Sequence, residues 1–304
     1  MIKKYTHKTI TWVDVENPTQ EEIRTLMEDY GVEHSTAKEL QLPSFKDRIY
    51  IRKNYMYIVL HFPALRHSHG EEVSQEIDFV VGKNFIITTR YGTVDALENF
   101  TKQFEVNNIL DKGIMEDHAG FVLYYIMKEL YRTISDELDT INDSLREVEK
   151  KTFNGREKEM VIEISKINRD LLHLKHTINS HKDIVTPLEE MGKRFFGEDF
   201  SDNLDKMLNE YYKTQQTLDN SIDFLKELRE TNDSLLNTKQ NEIMKTLTIL
   251  TFLAIPFSVI TGFFQMNTAH TPLLGINHDW QLIVGVEIAI TIVLFIIARL
   301  KKWL

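Results

Sequence analysis

The sequence predicts an α+β cytosolic domain, a mixed sheet covered by helices, that continues through a long stalk helix into a two-helix transmembrane region. Three observations predict it. Thr246 to Phe264 is a run of about 19 residues without a formal charge, long enough to cross a hydrocarbon core of roughly 30 Å. A second apolar run, Trp280 to Ala298, follows after a short polar connection. Ahead of both, short β-branched and aromatic segments give way to long stretches of helical periodicity.

The soluble part begins with ITWVDV at residues 10–15, which alternates as a strand does. Thr19 or Asn17 then supplies an N-cap for a helix that opens with Glu21 and Glu22 and stops at Gly31. Arg48 to Lys53, Tyr55 to Phe62, Gln75 to Val81 and Phe85 to Thr89 read as two hairpins of one mixed sheet. Helical patterns return at Val94 to Glu105 and from Glu116 to Thr152. Another runs from Arg156 to Pro187, where the proline predicts an end, and Gly192 to Ser201 supplies the last turn before the stalk.

The stalk carries Leu204, Leu208, Tyr211, Gln215, Leu218, Ile222, Leu225, Arg229, Asn232, Leu236, Lys239 and Ile243 at alternating steps of four and three, a heptad seam broken by polar residues. Continuous from Asp202 to Phe264, such a helix is on the order of 90 Å long. The predicted limits are 1–110 for the α/β part, 111–201 for long antiparallel helices, 202–245 for the stalk and 246–264 for the first span. A loop at 265–279, the second span at 280–298 and a basic tail at 299–304 complete the chain.

Composition limits the function. The net charge is −10 over 304 residues, and the acidic balance of the soluble part disfavours nucleic acid and anionic lipid as partners while suiting cations. With no cysteine, a metal must be held by oxygen or imidazole. The first residues, MIKKYTHKTITWVDVENP, have no apolar core of a secretory signal, so residues up to 245 are expected in the cytosol. Gln265 to Asp279 contains no Lys or Arg, whereas Lys245 precedes the first span and Arg299, Lys301 and Lys302 follow the second. Retention of positive charge then predicts a multi-pass protein of the cell membrane with both termini inside. No Gly-rich loop ends in Gly-Lys-Ser/Thr, so no nucleotide is expected, and no nucleophile and base pair up as in an enzyme.

Two spans cannot enclose a water path, so conduction requires several copies around an axis. One side of the first span suits that purpose. Asn241, Met244, Leu247, Thr251, Ile255, Ser258 and Gly262 recur at three and four, so hydroxyl and amide oxygens alternate with apolar rings that dewet. The competing reading is that span Ser and Thr bond to their own backbone. Glu287 is an ionisable group inside the second span and marks a functional position by default, with a hydrogen bond to Thr251 or Ser258 as the expected role. His270, His278 and Asp279 in the loop, and His173 and His176 one turn apart on a helix, read as solvated surface.

A stalk running as NEIMKTLTIL into the first span, Pro256 within it, aromatic residues before Met266-Asn267, and a terminal KKWL resemble the CorA magnesium channels. So do TWVDV, YMYIVLHFPAL and FVVGKNFIITTR earlier in the chain. The resemblance covers essentially the whole sequence and implies a homopentameric funnel that carries Mg2+ or a related divalent cation. It places the selectivity filter at Gln265, Met266 and Asn267, with Asn267 as a ring of neutral amides that hydrogen-bonds the ion's water shell instead of stripping it. It also implies acidic regulatory metal sites between subunits, for which Asp95, Asp202, Asp205 and Glu230 are the nearest residues here.

The family's Gly-Met-Asn triplet is Gln265-Met266-Asn267 in this chain, so two of three positions match. The related ZntB zinc transporters vary the middle residue, which is unchanged here. A Zn2+ or Co2+ transporter, proton-coupled or not, and a non-conducting membrane-anchored scaffold are the alternatives.

Overall fold

Strand β2 (Ile10–Glu16) sends Ile10 and Trp12 to one face of a sheet and Val13 and Val15 to the other, and the remaining core strands repeat that alternation. In β4 (Tyr55–Pro63), Met56, Ile58, Leu60 and Phe62 join the first face, and Tyr55, Tyr57 and Val59 the second. With β1 (Ile2–His7), β3 (Arg48–Ile51), β5 (Ser74–Gly82) and β6 (Phe85–Arg90) the order is β1-β2-β6-β5-β4-β3. Among the described residues only β2 and β6 pair in parallel; β3 to β6 form an antiparallel meander. The sheet is mixed, as the sequence predicts. The computed structural model describes residues 1–63, 74–109, 118–266 and 278–301.

Both sheet faces are covered. Helices α1 (Gln20–Tyr30) and α2 (His34–Glu39) bury Ile23, Leu26, Ala37 and neighbouring Leu40 against Val13, Val59, Val80 and Ile87. On the other face lie α3 (Asp95–Ile109), α4 (Gly120–Phe153), α5 (Glu157–Phe196) and the start of α6 (Ser201–Gln265), sharing one core with Trp12, Met56, Phe79 and Ile86. A final helix, α7, runs from Asp279 to Leu300. Thr19, not Asn17, caps α1: its Oγ1 accepts from the Glu22 amide at 3.2 Å and Glu22 Oε2 accepts from the Thr19 amide at 2.9 Å. Gly31 ends the helix in the left-handed conformation at φ 65°.

The structure corrects four expectations. β1 and α2 are additional elements; β1 is an edge strand in which only His7 is buried, and α2 has only six residues, so neither carries a strong apolar period. Pro187 does not end a helix, because α5 continues to Phe196. The missing N–H costs about 3 kcal/mol, and burial of Ile184, Val185 and Leu188 around the proline offsets it. The connection to α6 is correspondingly later and shorter, a single 3-10 turn at Glu198–Phe200.

The fourth correction concerns the stalk seam. Leu204, Met207, Tyr211, Thr214, Leu218, Ser221, Leu225, Leu228 and Asn232 are the buried positions of α6, a heptad shared with the expected seam at every second step and displaced by one residue at the others. Thr214 meets Ser135 of α4 at 3.3 Å, and Ser221 Oγ donates to Asn142 Oδ1 at 2.8 Å. Both pairs are separated by 79 residues, so α4 and α6 run in the same direction. Gly192 of α5 admits the close crossing with α6, since a Cβ there would lie 2.9 Å from the methyl carbons of Leu204.

The chain divides into two units, Met1–Arg229 and Glu230–Leu304.

Candidate ion pathway

In the second unit, the part of α6 beyond Lys245 is apolar with a mean hydropathy of 2.1 over its best window, and Trp280–Leu300 reaches 2.5. Almost nothing in either window is buried within the chain, which distinguishes them from the core helix of a soluble protein. Such surface is stable only against lipid or other subunits.

The partly screened residues of the first span are Ile249, Phe252, Leu253, Pro256, Ile260 and Phe264, all on one side of α6. On α7 the screened positions Ile283, Glu287, Ile290, Thr291, Leu294 and Ala298 likewise share a side. Asn241, Met244, Leu247, Thr251, Ile255, Ser258 and Gly262 are all exposed. At 3.6 residues per turn their stripe is centred about 155° from the screened side of α6. The candidate pathway face is therefore left uncovered by its own chain.

Polar groups in the spans behave in two ways. The hydroxyls of Thr246, Thr248 and Thr251 donate to the carbonyls of Glu242, Met244 and Leu247 at 2.9, 2.8 and 2.8 Å. For Thr251 this is the back-bonding reading weighed from sequence; the hydroxyl oxygen still has acceptor capacity. Thr261 Oγ1 instead donates across to Glu287 Oε1 at 3.1 Å. Glu287 does bond to the first span, but its partner is Thr261, not Thr251 or Ser258. A charged side chain at a span centre costs about 2.5–3.5 kcal/mol on insertion scales, which an interhelical acceptor role reduces.

At the C-terminal end of α6, Gln265 is the last helical residue and the Met266 amide bonds back to Phe263 O at 3.3 Å. Gln265 and Met266 are both exposed. Asn267 and His270 lie outside the described residues; His278 is exposed at the start of α7.

Within the first unit, Asp95, Asp202 and Asp205 form no metal-binding group. Asp95 stands in the first turn of α3, beside a small cleft with Phe62, Gln75 and Leu130. Asp202 is exposed in the first turn of α6, Asp205 lies 3.8 Å from Lys193 Nζ, and Glu230 is exposed in the other unit. Among the described residues no three or more His, Asp or Glu side chains are grouped to hold a metal.

A polar cluster in the soluble unit was not found from sequence. His61 interrupts the apolar strand β4 and is gripped by Asp47 at Nδ1, 2.6 Å, and Glu76 at Nε2, 3.2 Å, with Ser44 O also at 2.9 Å from Nε2. Burial disfavours its charge, yet the bonds to Asp47, Glu76 and Ser44 prevail and raise its pKa to about 10. Burial likewise works against the Asp47 carboxylate, but bonds from His61 and Ser180 outweigh it and hold the pKa below the ordinary value. His181 Nε2 meets His61 O at 2.7 Å and its Nδ1 meets the Tyr131 hydroxyl at 3.1 Å, so the sheet is tied to α5 and α4. A histidine inside an otherwise apolar strand is the one sequence signal for it; its partners are 14 and 15 residues away on separate segments.

A sandwiched mixed sheet, continued by a helix with an apolar last third and followed by a second apolar helix, is the build of a membrane protein with a folded soluble part and two spans. The chain belongs to the CorA-like Mg2+ transporter protein family, whose sequence model matches residues 7–302. It is 24% identical over 303 residues to a cobalt/magnesium transport protein CorA of Methanocaldococcus jannaschii, covering 97% of this chain and 92% of that protein. In structure it is similar to the complete CorA magnesium transporter from Methanocaldococcus jannaschii, with a TM-score of 0.83, 21% identity and coverage of 99% and 93% of the two chains. The ZntB cytoplasmic domain from Vibrio parahaemolyticus has a TM-score of 0.55 at 14% identity, covering 78% of this chain and 90% of that one. These structural likenesses bear on the fold. Magnesium transport through a membrane is the family's activity, and its members are transporters, not enzymes.

Proposed function

We propose that the chain assembles as a homopentamer in the cell membrane, with both termini in the cytoplasm, and conducts Mg2+ inward down the membrane potential. The observation that carries this reading is the uncovered stripe from Asn241 to Gly262, on the side of α6 away from its screened residues. Copies arranged around an axis bring those stripes together. A divalent ion falling through 100 mV gains about 4.6 kcal/mol, so no nucleotide is required.

The hydrated ion is selected at a ring of Asn267 amides, with Met266 and Gln265 beside it, and passes Gly262, Ser258, Ile255 and Thr251. Met244 and Leu247 form the apolar constriction that closes by dewetting, above the Asn241 ring. Asp95, Asp202, Asp205 and Glu230 are regulatory cation ligands contributed between subunits. Co2+ is a second cargo, as the name of the Methanocaldococcus jannaschii relative supports.

The test is uptake of Mg2+, Co2+, Ni2+ and Zn2+ by proteoliposomes, with the mass of the assembly measured in lipid. Asn267→Ala is expected to lower Mg2+ uptake at least about tenfold. Zn2+ uptake without Mg2+ uptake, or a monomer in lipid, overturns the reading.

A further inference from the structure

Pro256 supplies no backbone N–H to the α6 ladder and its ring crowds the preceding turn, the common origin of a kink or pivot in a long helix. Everything beyond it, from Phe257 to Met266, hangs on that pivot. Thr261 lies about 7.5 Å past Pro256 and about 6 Å short of Gln265 along the helix.

This is the place where a bond crosses to α7. Thr246, Thr248 and Thr251, before the proline, spend their hydroxyls on their own helix, whereas Thr261, after it, donates to Glu287 at 3.1 Å. Glu287 is the one ionisable side chain between Trp280 and Ala298. Its own turn is further held by Thr291, whose hydroxyl donates to the Glu287 carbonyl at 2.8 Å. A cross-bond just past a pivot has far more leverage on the free end than one before it.

We infer that Glu287 is a positioning residue: by accepting from Thr261 it fixes the post-proline segment of α6, and with it the direction in which Gln265 and Met266 face at the outer mouth. The consequence for ion discrimination rests on the reading of that end as the entrance; the mechanical part does not.

The chain has no cysteine, so Met266→Cys alone accepts a nitroxide spin label on the full-length protein in lipid nanodiscs. Thr261→Val, which keeps shape and removes the donor, and Glu287→Leu are each expected to mobilise the label. The double variant should be no more mobile than either single one, and Glu287→Gln, whose amide oxygen still accepts, should keep the parent spectrum. Unchanged spectra in the Val and Leu variants, additive effects, or a Gln variant that behaves like Leu overturn the clamp.

In proteoliposomes the Val and Leu variants should shift the ratio of Mg2+ to Co2+ uptake by about threefold or more, and Gln should not. A mobilised label with an unmoved ratio overturns the link to selection. Absence of uptake by the unmodified protein overturns the transport reading, and the spectra still decide the clamp. Should Glu287→Leu fail to assemble, Thr261→Val alone decides it.

Discussion

His61 Nδ1 lies 2.6 Å from Asp47 Oδ1, and the same Asp47 oxygen accepts the His61 backbone amide at 2.9 Å. One carboxylate thus holds both ends of the residue, and its second oxygen takes the hydroxyl of Ser180 from α5. Because folding raises the His61 pKa from 6.5 to about 10, its contribution to stability is full below about pH 6.5, declines above that, and is gone once pH passes about 10. Melting of the purified protein between pH 6.5 and 10 should therefore show a falling temperature, with a flatter slope in His61→Gln. Equal slopes would remove His61 as the cause.

Taking the imidazole away altogether is a harsher test. His61→Leu leaves the buried carboxylates of Asp47 and Glu76 facing each other without a cation, and breaking a buried pair from one side costs about 3–5 kcal/mol. The expected result is a large loss of thermal stability that Asp47→Asn combined with His61→Leu partly recovers. Independent, additive losses would mean that the two groups do not act together.

The α4–α6 seam predicts a smaller effect. Ser221 is buried and its hydroxyl bonds Asn142, so Ser221→Ala is expected to cost about 1 kcal/mol, read as a shift in the denaturation midpoint. Replacing Ser221 by Leu to improve the apolar heptad should destabilise further, because the site is filled.

That seam also marks where the sequence stops being legible. The two spans, the mixed sheet and five of its six strands follow from runs and alternation. Choosing Leu208 and Ile222 over Met207 and Ser221 follows hydrophobicity, but the seam is set by α4, whose Ser135 and Asn142 offer hydrogen bonds to small hydroxyl residues. Pro187 misleads for a similar reason: the rule is local, and the packing that overrides it comes from distant segments. At the candidate site, periodicity finds the exposed stripe of α6, since a helix face is a property of spacing. It does not find Thr261 as the partner of Glu287, because register between two helices is not written in either one.

The proposed apolar constriction offers a direct measurement. If Leu247 rings close the path by excluding water, Leu247→Asn hydrates them and should raise ion leak at high cytosolic Mg2+ by about fivefold or more. The same substitution at Leu250, which is exposed but off the stripe, should not. Equal leak from both positions would assign the effect to general disturbance of the helix.

Gln265 is the position at which this chain departs from the Gly-Met-Asn triplet, and the helix end shows what the departure does. Helix α6 includes Gln265, and the turn closes only at Met266, whose amide reaches back three residues to Phe263 O at 3.3 Å. A glycine adopts the left-handed conformation that ends a helix without the Cβ penalty, so Gln265→Gly permits the turn to start a residue earlier and also removes one amide per subunit from beside Met266. Both changes reach the residues proposed to meet the ion first. The variant is expected to change the ratio of Mg2+ to Co2+ uptake in competition by about three- to tenfold, equivalent to about 0.7–1.4 kcal/mol in relative barrier height. Because the substitution lies outside the soluble unit, the melting of that unit should not move. A ratio that stays at the parent value would show that the first residue of the triplet does not shape selection in this chain, and would leave Asn267 to carry it alone.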